Sequence, residues 1–166
     1  HFDFSTRTGR IPAHTPTIVW TSLIGHAFLD AHDLLPDPRY LEVAAGACRW
    51  ILTLPREPAD DGACLSYTAL GVNPVHNANL LGAGLLARTW SLRPDPEFRA
   101  VARAAVAYSC HRQRPDGSWW YGEAPNHRCR VAFPMGFEIG LQAMPQSAPE
   151  LALKIRPTVG ELPHRL

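Results

Sequence analysis

A duplicated segment constrains the fold of this chain more than any other feature. Residues 36–44 (PDPRYLEVA) match residues 94–102 (PDPEFRAVA). Each copy is followed by an Asp-Gly pair with aromatic residues close behind, at 61–67 (DGACLSY) and 116–121 (DGSWWY). A repeat of about 58 residues with two helical segments and a turn is typical of stacked helical hairpins. The duplication therefore predicts a helical repeat protein.

The hydrophobic pattern separates inner from outer helices. Two segments are apolar around most of their circumference, which predicts inner helices, and two carry one apolar face, which predicts outer helices. The predicted ranges are 15–34 and 76–90 for the inner helices, and 38–54 and 96–113 for the outer ones. The connection at 55–75 is expected to be a loop. Short extended pieces are expected only near 64–68 and 118–121.

These segments predict an all-α fold built of two good helical hairpins plus a degraded third. The hairpins are placed at 12–70 and 74–123, within a repeat domain of residues 1–128. Residues 129–166 are predicted to be an irregular tail with at most one short helix. Pro134 interrupts the apolar run where a third inner helix is due, and four further prolines follow.

Composition argues against several classes of partner. The 166 residues have a formal net charge of +1 without a basic or acidic run, which argues against nucleic acid and anionic membranes. No apolar run approaches the roughly 20 residues that span a bilayer. Four cysteines without a Cys-x-x-Cys pair predict reduced, buried thiols in a cytoplasmic protein. Because the first residue is His1, the chain is expected to be processed or a piece of a longer protein.

A Pro-x-His triplet recurs three times, and two of the three precede the predicted inner helices. Its histidines, His14, His76 and His127, are expected at one rim of the stack. There they are candidates for acid–base groups or for hydrogen-bonding a sugar. The alternative is a local hydrogen-bonding role at each helix start. No His-x-x-x-His or carboxylate spacing accompanies them, so neither a metal site nor a cofactor is predicted.

Loop carboxylates provide the second set of candidates. Glycosidases place two carboxylates about 5 to 10 Å apart across the scissile bond. Asp61 and Asp116 occupy equivalent positions before Gly, which explains them as turn formers. Asp60 and Glu123 have no such role, and with His76 they form the predicted catalytic set. The predicted substrate-binding residues are side chains that stack on or hydrogen-bond a sugar: His14, His127, Trp20, Trp120, Tyr121 and Asn77.

The second Asp-Gly turn carries a resemblance to a known family. Residues 113–119 (QRPDGSW) resemble the Gln-x-x-Asp-Gly-Ser-Trp motif of α/α-toroid proteins, which include terpenoid cyclases, prenyltransferase subunits and six-hairpin glycosidases. In that motif the Gln caps the end of the outer helix and the Trp stacks beneath it. The segments 14–16 (HTP), 76–79 (HNAN) and 120–123 (WYGE) are similar to bacterial toroid proteins associated with polysaccharide metabolism. The run at 133–136 (FPMG) departs from the Phe-His-Thr-Gly-like start of their third inner helix.

The resemblance implies an incomplete α/α toroid. A ring of six such hairpins needs about 350 residues, more than twice the length of this chain. The flanks of the hairpins at either end would then expose apolar helix faces, which predicts self-association. A cavity open on one side also predicts a chain that is catalytically incomplete by itself.

Three functions follow from these patterns. The first is a carbohydrate-active protein or fragment of the hydrolase, lyase or epimerase type, which acts on or binds a polysaccharide or oligosaccharide. The second is a non-catalytic segment that binds glycan or protein. The third, a terpenoid cyclase or prenyltransferase-like activity, is disfavoured because no Asp-x-Asp-Asp motif is present. An enzyme predicts His76, Asp60 and Glu123 around one cavity, whereas a binding segment predicts them scattered among exposed aromatic residues.

Overall fold

The computed structural model describes residues 3–6, 9–35 and 37–131. These residues contain two pairs of α-helices, with short strands before, between and after the pairs. In chain order the elements are β1 (Phe4–Thr6), β2 (Gly9–Ile11), α1 (Ile18–Leu34), α2 (Pro38–Leu52), β3 (Arg56–Ala59), β4 (Gly62–Leu65), α3 (His76–Leu92), α4 (Pro96–His111), β5 (Trp119–Trp120), a 3₁₀ turn (Pro125–His127) and β6 (Arg130–Val131).

The duplicated Pro-Asp-Pro segments are helix starts. Asp37 is the N-cap of α2 and Asp95 that of α4, and each carboxylate accepts the backbone N–H two residues on, at 2.9 Å. The proline after each cap occupies the first helical position, where its missing N–H costs nothing. Both outer helices therefore begin where the sequence predicts.

Helix α3 is the centre of the molecule. Nearly every residue from His76 to Thr89 is buried. Helix α4 packs along α3, α2 packs along α1, and both α1 and α2 contact α3. Gly82 allows this approach, because a Cβ at that position would lie 2.5 Å from Ile18 Cδ1. The two predicted inner helices, α1 and α3, are therefore in direct contact.

The prediction of an all-α fold is wrong. Among the described residues, six short strands form three two-stranded antiparallel sheets, β1–β2, β3–β4 and β5–β6, so the fold is α+β. An α/α toroid is not shown. The connection at 55–75 was expected to be a loop, but the Asp-Gly pair that ends its turn directs a hairpin in which Ala59 pairs with Gly62. Its strand β3 has no alternation of apolar and polar residues, so periodicity does not reveal it.

The Asp-Gly-Ser-Trp turn is fastened to the end of α4 by side-chain hydrogen bonds. Gln113 Nε2 donates to the carbonyl of Gly117 at 3.0 Å, which ties the end of α4 to the turn. The Trp119 side chain is fully buried, and its indole N–H donates to the carbonyl of Ser109 at 2.8 Å. Trp119 is therefore part of the hydrophobic core.

The expected irregular tail lies almost wholly outside the described residues, as does the interrupted third inner helix with its Pro134. Within the described part, residues 130 and 131 form β6, which pairs with β5. No helix in residues 3–6, 9–35 and 37–131 is long and apolar enough to cross a membrane.

Candidate functional site

His76 and Glu123 meet in a polar cluster at the start of α3. The backbone explains why residues so far apart in sequence are neighbours. Val75 forms a β-bridge with Gly122. On either side of it, the backbone N–H of His76 donates to the carbonyl of Tyr121 at 3.1 Å, and the backbone N–H of Glu123 donates to the carbonyl of Pro74 at 3.3 Å. The chain after β5 therefore runs beside the first turn of α3.

Both nitrogens of the His76 ring are hydrogen-bonded. Nε2 lies 2.7 Å from Glu123 Oε1, and Nδ1 lies 3.0 Å from Ser109 Oγ. Because an ionised carboxylate only accepts, Nε2 carries the proton and donates to Glu123. In the neutral ring Nδ1 then accepts from the Ser109 hydroxyl. The ring is only 1% exposed, so these partners replace water completely.

Asn79 extends this network into the core. Its amide nitrogen donates to Ser109 Oγ at 3.0 Å and to the carbonyl of Ala105 at 2.7 Å. Its amide oxygen accepts the N–H of Leu65 at 2.8 Å. Asn79 thus joins α3, α4 and β4 and orients the hydroxyl that faces His76. Neither Asn79 nor Ser109 was predicted from the sequence, although a polar residue on the buried face of an apolar helix is a usable signal.

A cationic side chain borders the cluster. Arg112, at the end of α4, lies 4.0 Å from Glu123 and 3.5 Å from Asp61, and its guanidinium stacks on the Tyr108 ring at 3.5 Å. The Tyr108 hydroxyl donates to Glu57 at 2.7 Å, and burial raises the pKa of Tyr108. Glu57 and Asp61, both from the β3–β4 hairpin, therefore contact side chains that border the His76–Glu123 pair.

The carboxyl of Glu123 is the accessible part of this cluster. Its side chain is 27% exposed, and the hydrogen bond from His76 lowers its pKa below the ordinary value, against the raising effect of burial. Glu123 is therefore a carboxylate at neutral pH, able to accept a proton or hydrogen bonds but not to act as a general acid.

In the Ser109–His76–Glu123 series the hydroxyl donates to the imidazole and the imidazole donates to the carboxylate, as in a nucleophilic triad. Ser109, however, is fully buried, and its oxygen already accepts from Asn79. A nucleophile must reach the substrate, so the geometry assigns this series to holding α3 and α4 together around His76.

Asp60 lies apart from the other two predicted catalytic residues. It is exposed at the turn between β3 and β4, and no hydrogen bond or ion pair among the described residues joins it to His76 or Glu123. Its neighbour Asp61 points to the cluster instead and lies 3.1 Å from His111 Nδ1. The structure therefore brings two of the three predicted catalytic residues together.

Two of the predicted substrate-binding residues line one cleft. It has a volume of about 790 Å³ and is built from β1, the segment before α1 and the first turns of α1. Its lining residues are Phe4, His14, Thr15, Pro16, Thr17, Trp20, Thr21 and Ile24. The Trp20 side chain is 61% exposed, and His14 is held with a positive φ of 64°.

The other predicted substrate-binding residues lie elsewhere. His127 is buried in a second cleft of about 360 Å³. Trp120 is half-buried with the Arg114 guanidinium over its ring at 4.4 Å, and Tyr121 is half-buried against the core. Asn77 is half-buried near the start of α3. The three Pro-x-His histidines thus occupy three different environments.

Comparison of the chain with protein-family models, with curated proteins and with solved structures gave no match. In the described part of the chain, no group of three or more His, Cys, Asp or Glu side chains has the arrangement of a metal site. Cys48 and Cys64 are buried thiols, and burial raises the pKa of Cys48 to about 12.

Proposed function

We propose that this protein binds a carbohydrate in the cleft around Trp20. One observation carries the proposal: an indole that is 61% exposed stands in the wall of a cleft of about 790 Å³, among hydroxyl and imidazole groups. A flat aromatic face with a polar rim matches a pyranose ring, which has one apolar face and a ring of hydroxyls.

The cleft combines a mainly apolar wall with a few hydrogen-bonding groups. Phe4 and Ile24 extend the apolar wall, whereas Thr15, Thr21 and His14 provide hydrogen-bonding groups. Ligand pockets commonly combine a mainly apolar lining with a few polar groups that fix orientation.

The proposal is for binding rather than turnover. A glycosidase needs a carboxyl that holds a proton at working pH beside a second, ionised carboxyl. Glu123 is held ionised by His76, which supports a role as acceptor only. Among the described residues, no carboxylate lines the Trp20 cleft, and Asp60 and Glu123 both lie outside it.

The test is calorimetric titration of the protein with a panel of neutral oligosaccharides. We expect one member to bind, and Trp20→Ala to weaken that binding at least about tenfold. The matched control is Trp90→Phe, which changes a half-buried indole in a different cleft. Binding that survives Trp20→Ala, or no binding across the panel, would contradict the proposal.

A second candidate is self-association through the same face of α1. Leu23 and Ile24 are exposed beside Trp20, and Leu34 and Leu35 are exposed at the other end of the helix. An apolar stripe of this length is more typical of an interface than of a free surface. The occupant proposed is a second copy of this chain.

Sedimentation velocity at micromolar concentration separates the two candidates. Self-association predicts a dimer that Leu23→Lys converts to a monomer. Leu23 is chosen because it is exposed on α1 but does not line the cleft. Carbohydrate binding predicts that the same variant keeps its affinity for the sugar. A wild-type chain that stays monomeric at every concentration would remove the second candidate.

A further inference from the structure

The wall of the Trp20 cleft contains a strained backbone conformation. Thr15 donates its backbone N–H to the carbonyl of Pro12 at 3.2 Å, which closes a tight turn over residues 12–15. His14, the third residue of this turn, has a φ of 64°. In residues 3–6, 9–35 and 37–131, every other residue with a positive φ is a glycine. A Cβ makes this conformation unfavourable, and such strain persists only where the surrounding structure holds it in place.

The Asp3 side chain reaches this turn from the start of β1. Its Oδ1 accepts the backbone N–H of Ala13 at 2.7 Å, and its Oδ2 accepts from the Arg10 guanidinium. A carboxylate that accepts a backbone N–H forms a charge-assisted hydrogen bond, which is stronger than one between neutral groups. Ala13 directly precedes His14, so this bond fixes the chain one residue before the strained position.

The two segments that Asp3 joins also build the cleft. Phe4, next to Asp3, lines the cleft, as do two residues of the turn, His14 and Thr15. The pairing of β1 with β2 ends at Phe4 and Ile11. The hydrogen bond from the turn to Asp3 lies just beyond that pair, so it continues the attachment of β1 to the chain that leads into α1.

We propose that Asp3 is a positioning residue for the Trp20 cleft, which holds the turn at residues 12–15 in its strained form and so fixes the wall that a ligand contacts. A wall that is ordered before binding does not have to be ordered by the ligand, and this raises affinity. The effect on binding rests on the proposed carbohydrate function, whereas the effect on the turn does not. The two effects are therefore measured separately.

A double-mutant cycle on the melting temperature tests the effect on the turn. Glycine adopts a positive φ without strain, so His14→Gly relieves the turn while Asp3 holds it. In the Asp3→Ala background the turn relaxes, and no strain remains for glycine to relieve. We expect the change in melting temperature caused by His14→Gly to be more favourable by about 2 to 4 °C with Asp3 than with Asp3→Ala. Equal changes in the two backgrounds would overturn the proposal, since the turn would then keep its form without Asp3.

Calorimetric titrations with cellohexaose, maltohexaose and xylohexaose test the effect on binding. We expect Asp3→Ala to weaken the binding of the sugar that wild type binds by at least about fivefold. Asp3→Asn keeps an oxygen that accepts the Ala13 N–H, so it is expected to restore most of that affinity. Unchanged affinity in Asp3→Ala, or an equal loss in Asp3→Asn, would contradict the proposal.

Arg10→Gln separates the hydrogen bond from the ion pair. Arg10 pairs with Asp3 but does not line the Trp20 cleft. This variant is expected to keep its affinity within about twofold of wild type, because Asp3 still accepts the Ala13 N–H. A loss as large as that of Asp3→Ala would assign the effect to the ion pair and contradict the proposal. If none of the three sugars binds wild type, the carbohydrate proposal fails, and the melting-temperature cycle alone decides the role of Asp3.

Discussion

Trp119 and Trp20 show how much the surroundings of one residue type decide its role. Trp119 is fully buried and hydrogen-bonded by its indole N–H, whereas Trp20 is mostly exposed in the wall of a cleft. The first contributes to stability and the second is available to a ligand. The same substitution in the two positions therefore has different consequences.

Trp119→Ala is expected to lower the free energy of unfolding by about 3 to 5 kcal/mol, because it removes a large buried side chain and leaves a cavity. Trp20→Ala is expected to cost less than about 1 kcal/mol, as is usual for surface positions. Urea denaturation at equilibrium measures both. A loss below about 1 kcal/mol for Trp119→Ala would show that this indole is not part of the core.

Glu123 makes stability depend on acid pH. Its pKa is lowered in the folded protein relative to the ordinary value of 4.5, chiefly by the hydrogen bond from His76. The unfolded chain therefore binds a proton first as the pH falls. This contribution to stability is present above pH 4.5 and is lost as the pH falls through the folded pKa.

Glu123→Gln keeps an oxygen that accepts from His76 but removes the titrating group. Between about pH 6 and about pH 3, the free energy of unfolding of wild type should therefore fall more steeply than that of the variant. The carboxyls of Asp3, Asp37 and Asp116 also have lowered pKa values. They make the same contribution to the pH dependence of stability in wild type and in the variant. Parallel pH profiles measured by denaturation would contradict the assignment.

At the scale of elements, the β3–β4 hairpin lies directly on α4. Gly62 makes this possible, because a Cβ there would clash with the carbonyl oxygen of Ala104 and lie 2.8 Å from the N–H nitrogen of Tyr108. Its φ of 154° is also one that L-residues rarely adopt. Strain and overlap therefore act together at this position.

Gly62→Ala is expected to lower the free energy of unfolding by about 2 to 5 kcal/mol, from positive-φ strain and backbone overlap together. Gly71→Ala is the control, because a Cβ there meets nothing within 4 Å. Thermal or urea denaturation of the two variants checks the difference. Similar stabilities would mean that the hairpin shifts away from α4 without cost.

The helices were more predictable than the strands because helix signals are local. The Asp-Pro pairs fix the starts of α2 and α4, and α3 begins at His76 as predicted. Helix α1 begins at Ile18, three residues after the start of the predicted range 15–34, and Thr17 is its N-cap. Strand β3 was missed because its sequence, Arg-Glu-Pro-Ala, has no apolar alternation, although its backbone pairs with β4.

The candidate site was predictable only in part, for a related reason. His76 was selected from the repeated Pro-x-His triplet and Glu123 as a loop carboxylate without a turn-forming role, and the two side chains do meet. Ser109 and Asn79 were missed because they lie within helices: Ser109 belongs to no motif, and Asn79 entered only as the end of the segment 76–79. Their role depends on which faces of α3 and α4 touch, and that is set by tertiary packing.

At the scale of the whole molecule, the two repeats share one core. Buried residues from all four helices and from β4 form a single hydrophobic cluster around α3. In an ideal repeat array each unit contacts only its neighbours and stability is a sum of local terms. In this protein the interface between the two repeats is part of that core, and the β3–β4 hairpin of the first repeat packs on α4 of the second.

We therefore expect unfolding in a single cooperative transition. Urea curves followed by tryptophan fluorescence and by helical circular dichroism should coincide, since Trp119 and the helices belong to one core. Two separated transitions, one for each repeat, would contradict this expectation.

The packing of the β3–β4 hairpin on α4 also decides where the chain can be divided. A break at the exposed residues 91–94, between α3 and α4, would leave the hairpin in one fragment and the helix that covers it in the other. Each fragment would then present the surface that completes its counterpart, so the halves would associate as a non-covalent pair. The connection between α3 and α4 is thus a site for split-protein reassembly, not for the isolation of an autonomous half.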